Sequence, residues 1–181
     1  MKIDFRITDR PSDLSFSPLS TLEEEVTDIE GYFFVKINDW EYGFCHDRPL
    51  APNETGLFSL ITWFEQFLEV IRILNEGKAF AAISDIETSS IWLSFEKKDD
   101  LITVSEIETQ SNKLSLDKKP AQFKRLNQAP SPVSFFDFKR EVWEKTSKLI
   151  QELIEINPLF DEHFCVRNLR KLIAQTKEMK P

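Results

Sequence analysis

Residues 56–77 read GLFSLITWFEQFLEVIRILNEG, and the reading of this stretch decides the fold. Its polar residues Ser59, Thr62, Gln66, Glu69 and Glu76 recur at spacings of three, four, three and seven. On a helix they form one narrow stripe. The remaining surface is large and apolar, from Leu57 and Phe58 through Trp63, Phe64 and Phe67 to Leu74. So wide an apolar arc must be covered on most sides, which predicts a central helix over Gly56–Glu76. Gly77 stands where a left-handed C-terminal cap is needed. Glu65, Gln66, Glu69 and Arg72 interrupt the apolar run, so it reads as a buried helix and not as a membrane span.

Working outward, Lys2–Thr8 alternates, with Ile3, Phe5 and Ile7 on one face and Asp4, Arg6 and Thr8 on the other; this is a half-buried strand. Leu22–Ile29 suits either a short helix or a strand. Gly31–Ile37 and Trp40–His46 read as strands joined by Asn38-Asp39, two residues that tolerate positive φ. Beyond the central helix, Ala79–Ile86, Ile91–Lys97 and Leu101–Thr109 read as strands, and Lys113–Leu116 as one more short one. Asp117–Pro132 reads as an irregular connection. Phe135, Phe138, Val142, Leu149, Leu153 and Ile156 then repeat at helical spacing, with Ser134 and Asp137 as a capping pair. Glu141 with Lys145, and Glu144 with Lys148, have the spacing of helix ion pairs. Asn157-Pro158 is expected to end that helix and open another. The fold class is therefore α+β: an antiparallel sheet packed on one central buried helix, with a C-terminal helical hairpin. Residues 1–116 form the body, 117–133 a linker and 134–181 the hairpin packed on the body, within a single domain overall.

The chain has 181 residues, of which 16 are Phe and four Trp, enough for a real core. Four glycines, none clustered, exclude the glycine-rich loops that cradle phosphates. The net charge of −8 is uneven: residues 1–116 hold 22 acids and 10 bases, residues 117–181 nine acids and 13 bases. An acidic body disfavours nucleic acid and anionic membrane and steers toward a basic protein partner. Two cysteines fit a reducing cytoplasm better than a disulfide-built secreted domain. Met1–Arg10 has no continuous apolar region and does not read as a signal peptide.

The two cysteines and two histidines fall in pairs, Cys45-His46 and His163 with Cys165. Together they would make a tetrahedral zinc set or a thiol–imidazole dyad. Their spacing is poor for either, because neighbours on a strand point oppositely and residues two apart on a helix diverge. Asp85 and Glu87 would share one face of a strand. Trp40, Glu41, Tyr42 and Asp47 combine aromatic anchors with selecting charges, as protein interfaces do.

Gly31–Trp40 (GYFFVKINDW), the Trp63-centred helix, Asp85 and Ile91–Phe95 (IWLSF) together resemble small bacterial domains of the toxin-immunity type, over about residues 1–110. That resemblance implies an acidic cytoplasmic protein without catalytic residues that binds one toxin; it carries no site residue over. The expectation is a non-enzymatic cytoplasmic protein-binding module, in the form the resemblance implies an immunity protein neutralising a cognate toxin, with no cofactor and no metal. Trp40, Glu41, Tyr42 and Asp47 are its candidate contacts. The alternatives are a small metal-dependent or thiol enzyme using Cys45, His46, His163 and Cys165, or a self-associating structural subunit.

Overall fold

The computed structural model describes residues 1–8, 14–51, 54–88, 90–110, 115–126 and 132–178. Alternation at the N-terminus produces β1 (Lys2–Ile7), which pairs antiparallel with β2 (Glu30–Ile37). The ambiguous segment Leu22–Ile29 is helical only to Glu25, as the end of α1 (Leu19–Glu25), in which Leu22 is buried. A two-residue turn with Asn38 at φ 52° returns the chain as β3 (Trp40–Phe44). β4 (Phe58–Ser59) joins the same edge of β2 beyond the end of β3, pairing Glu30 with Ser59 and Gly31 with Phe58. Next comes the central helix, α2 (Leu60–Asn75).

After α2 the chain builds a second antiparallel sheet from β5 (Phe80–Ser84), β6 (Ile91–Lys98) and β7 (Leu101–Glu108). Asp99 at φ 55° makes the turn from β6 to β7. Three two-residue strands complete it: β8 (Ser115–Leu116) on β5, then β9 (Lys124–Arg125) and β10 (Val133–Ser134), both on β7. The C-terminal hairpin is α3 (Phe135–Ile156) and α4 (Phe164–Glu178). The fold is thus α+β and its strands antiparallel, but the strands fall into two sheets. Those that precede α2 and those that follow it pair among themselves.

Both sheets and both C-terminal helices bury side chains against α2 in one core. Phe67 shows how. Its ring lies 5.7 Å from Phe33 of the first sheet, 5.9 Å from Phe95 of the second and 6.0 Å from Phe138 of α3. The wide apolar arc of α2 is the sequence trace of this three-sided burial. A smaller cluster of Phe80, Ala82, Trp92 and Ile107 lies on the outer face of the second sheet. The segment read as a linker runs from β8 beside β5 to β9 beside β7, so it crosses that face. Phe123 packs there, and Lys119 and Arg125 both pair with Glu96 of β6. Residues 127–131 of that segment lie outside the described residues.

Three local expectations yield to longer-range contacts. The central helix starts at Leu60 instead of Gly56, because Phe58-Ser59 is drawn into pairing with β2 and Leu57 N–H donates to Gly31 O at 3.1 Å. The approach is close: a Cβ on Gly56 would stand 2.3 Å from Gly31 N. Asn157-Pro158 opens a 3-10 turn (Pro158–Asp161) before α4 begins. Asn157 caps Leu159 N–H there while its amide nitrogen donates to Leu14 O and Ser17 O, which holds the chain out of helical continuation. On α3, Lys145 pairs with Asp4 of β1, Glu141 accepts from Ile3 N–H, and Lys148 pairs with Glu152. The helix thus binds the edge strand with residues whose spacing suggested pairing along itself. No helix among the described residues is long and apolar enough to cross a membrane.

Candidate partner-binding surface

The N-terminus of α2 is where the two sheets come together. Its first-turn amides need acceptors, and Ser59, the cap residue by position, makes no side-chain bond to them. Asp28 supplies the acceptor from 33 residues away. One of its oxygens takes Ile61 N–H at 2.8 Å; the other takes Thr62 N–H at 3.1 Å and the Thr62 hydroxyl at 2.5 Å. A carboxylate is favoured at this positive end of the helix dipole.

More carboxylates gather nearby. β5 ends at Ser84, so Asp85 and Glu87 lie in a turn and not on one strand face as the alternation suggested. Asp85 accepts from Glu87 N–H at 2.9 Å and from the Thr88 hydroxyl at 3.0 Å. Glu87 in turn accepts from Ser59 N–H at 3.2 Å, and Ser59 is paired with Glu30. Burial raises the Glu87 carboxyl above its ordinary range; Ser59 N–H opposes, and the charges of Asp85, Asp28 and Glu30 add to the rise. Three carboxylates thus act on a fourth, Glu87, at the end of α2.

Apolar side chains are exposed on the first sheet. The Gly31–Gly56 contact presents Leu57 at 64% exposure, and Phe44, at the end of β3, is 52% exposed. Phe44 meets Tyr32 edge-on at 5.7 Å and His46 at 5.4 Å. The loop after β3 is tied to the first sheet by Glu54, which receives five donors. They are the Tyr32 hydroxyl (2.5 Å), His46 Nε2 (3.0 Å), both terminal nitrogens of Arg48 (2.8 Å each) and Ala51 N–H (2.8 Å). The Arg48 guanidinium first, then Tyr32 and Ala51 N–H, hold this carboxyl far below the usual range. Nothing in sequence spacing marked Glu54 or Asp28; Asp28 caps an amide 33 residues on, and Glu54 ties its own loop back to Tyr32.

The structure sorts the candidate contacts. Trp40 is buried: its indole donates to Glu106 at 3.0 Å and stacks on Tyr42 at 6.1 Å. Tyr42 points inward too, 5.6 Å from Trp63. Burial and then its hydrogen bond to Asp85 push the phenol far above its ordinary range. Trp40 and Tyr42 therefore join the two sheets, and Trp40 offers a partner no anchor. Glu41 is exposed and pairs with Lys36 at 2.5 Å. Asp47 is exposed and lines an open groove of about 760 Å³ between β1 and α3, with Phe5, Ile7 and Lys148.

The Cys and His pairs occupy separate settings. Cys45 follows β3, and its thiol is raised by burial and by Asp4 and Asp47; His46 is engaged by Glu54. His163 is buried, with Nε2 3.1 Å from Leu22 O and Nδ1 accepting from Cys165 N–H at 3.4 Å. Cys165 Sγ lies 3.6 Å from Thr27 O, and burial, then Glu65 and Asp28, push its thiol up to about 12. Both thiols are raised, the opposite of the lowering that activates a cysteine nucleophile. Among the described residues no three His, Cys, Asp or Glu side chains are grouped to hold a metal ion.

Compared with protein-family models, curated proteins and solved structures, the chain matches none.

Proposed function

We propose that this chain is a non-catalytic protein-binding module that covers a basic surface of its partner, in the manner of the toxin-neutralising domains its sequence resembles. One observation carries the reading: exposed Leu57 lies on the short segment, bound to Gly31 and paired through Ser59 with Glu30, whose Ser59 N–H also meets the Glu87 carboxylate at the end of α2. Apolar anchors at the centre and charges at the rim are the division of labour in protein interfaces. The raised Glu87 carboxyl adds a reason. An arriving Lys or Arg relieves repulsion among carboxylates that the fold crowds together, so the partner's charge is rewarded beyond a simple surface pair. The protein acts in the cytoplasm, where its two free cysteines stay reduced.

The test is affinity capture with the intact chain and with two variants, Glu30→Lys/Glu87→Lys and Leu57→Asp. The wild type is expected to retain one basic protein at low salt and release it as ionic strength rises, because rim charges are screened. Both variants should lose that protein while staying folded by circular dichroism. Equal capture by wild type and both variants would show that the surface plays no part. Growth of cells that co-express the captured protein then decides whether binding neutralises a toxin.

A further inference from the structure

At the other end of α2 two lysines crowd a single ring. Lys97 Nζ, from β6, stands 4.5 Å from the centroid of Phe135, and Lys139 Nζ, from the first turns of α3, 4.8 Å from the same centroid. Phe135 is buried, its N–H bound to Asp100 O at 2.7 Å, so the ring cannot move aside. The two ammonium groups differ in what else they hold. Lys97 donates to Leu74 O at 3.4 Å, at the negative end of α2. Lys139 reaches a second ring, Trp143, at 5.9 Å, and neither a carboxylate nor another oxygen acceptor among the described residues. Lys36, Lys145 and Lys148, by contrast, each hold a carboxylate.

We propose that Lys139 is a site of covalent N-acylation by anionic acyl donors, of which an acyl phosphate is the simplest. Lys97 draws the phosphate, and its ammonium beside the same ring disfavours a second charge on Lys139. An amine beside a fixed cation in a partly desolvated site is activated as a nucleophile. The deprotonated Lys139 Nζ attacks the acyl carbonyl carbon and a C–N bond forms. The bond from that carbon to the phosphate oxygen breaks, phosphate leaves with the electron pair, and the nitrogen's proton passes to water. The neutral amide product removes one of two like charges and keeps the alkyl stem on Phe135 and Trp143. Burial first, and then Lys97, lower the Lys139 amine below the ordinary lysine range, with Asp100 opposing; Lys177, 5.6 Å from the far ring Trp143, is the next cation.

The experiment treats the full chain with acetyl phosphate near neutral pH and reads each lysine by peptide mass mapping. Lys139 is expected to acetylate about threefold faster or more than Lys36 and Lys148. K97Q should slow Lys139 about twofold or more, while K97R, which retains the charge, keeps the wild-type rate. In urea the lysines should react alike. A native Lys139 that reacts no faster than Lys36 overturns the proposal, and so does a folded K97Q with unchanged Lys139 reactivity. Should K97Q not fold, the comparison of native wild type, K97R and urea-unfolded chain decides alone.

Discussion

Replacing Asp28 by Ala should destabilise this protein far more than its position in a connecting segment suggests. The carboxylate receives Ile61 N–H, Thr62 N–H and the Thr62 hydroxyl, as well as its neighbour Ile29 N–H at 2.7 Å. The substitution leaves two first-turn amides of the central helix without an acceptor. Loss of a helix N-cap costs about 1–2 kcal/mol, and loss of a favourable dipole charge about 0.3–1 kcal/mol more. The Thr62 hydroxyl adds about 1 kcal/mol, which places Asp28→Ala at about 3 kcal/mol. For a chain of this length that is a fall of about 6–12 °C in Tm. Urea unfolding followed by tryptophan fluorescence measures it, with the slope unchanged so that the shift reports stability alone. Asp28→Asn, which keeps an acceptor but turns an NH2 group toward the same donors, should cost about half as much. Thr62→Val combined with Asp28→Ala should cost less than the two singly, because both remove one interaction. A loss below about 0.5 kcal/mol for Asp28→Ala would refute the reasoning and move the capping of α2 elsewhere.

Three further outcomes follow from the core and the backbone. Phe67→Ala removes the ring that meets both sheets and α3, so it should cost about 3–5 kcal/mol in the same unfolding assay, while Phe67→Leu should cost less. Gly77 has φ +84° with open space around its absent Cβ, whereas a Cβ on Gly56 meets Gly31 backbone; Gly77→Ala should cost about 1 kcal/mol and Gly56→Ala distinctly more, read as the difference in midpoint denaturant concentration. The Cys165 thiol is raised in the fold, so its stabilising contribution is complete below the unfolded value of about 8.5 and is lost as pH rises toward about 12. Cys165→Ala should flatten the alkaline fall in stability, and a thiol reagent should reach Cys165 only when urea unfolds the chain.

Legibility followed the range of each interaction. Alternation in Lys2–Thr8, the apolar arc of α2, the left-handed Gly77 and the Ser134 cap on Asp137 N–H at 3.3 Å are all events within a few residues, and their patterns are visible in the linear order. The start of α2 was misplaced by the four residues Gly56–Ser59 because helical periodicity cannot report that β2 competes for them. The turn at Asp85 was hidden for a similar reason: the alternation runs on past Ser84, while the carboxylate folds back onto Glu87 N–H. Cys45-His46 and His163 with Cys165 stood out because of their rarity, yet the pairs lie in different neighbourhoods: His46 is held by Glu54, His163 by Leu22 O and Cys165 by Thr27 O.

By itself the order of residues determined the longer strands and helices, that one helix must be surrounded, and that the N-terminal two-thirds carries the negative charge. Only the tertiary structure decided that the strands divide into two sheets and that Trp40 and Tyr42 turn inward to join them. It also decided that Asp28 closes the end of a helix 33 positions further on, and that the Glu30 and Glu87 carboxylates gather there beside the segment that exposes Leu57. Periodicity records which face of an element is buried, because that depends on neighbours along the same element. It cannot record what buries that face, since partners remote in the chain are brought together only by the path of the backbone between them.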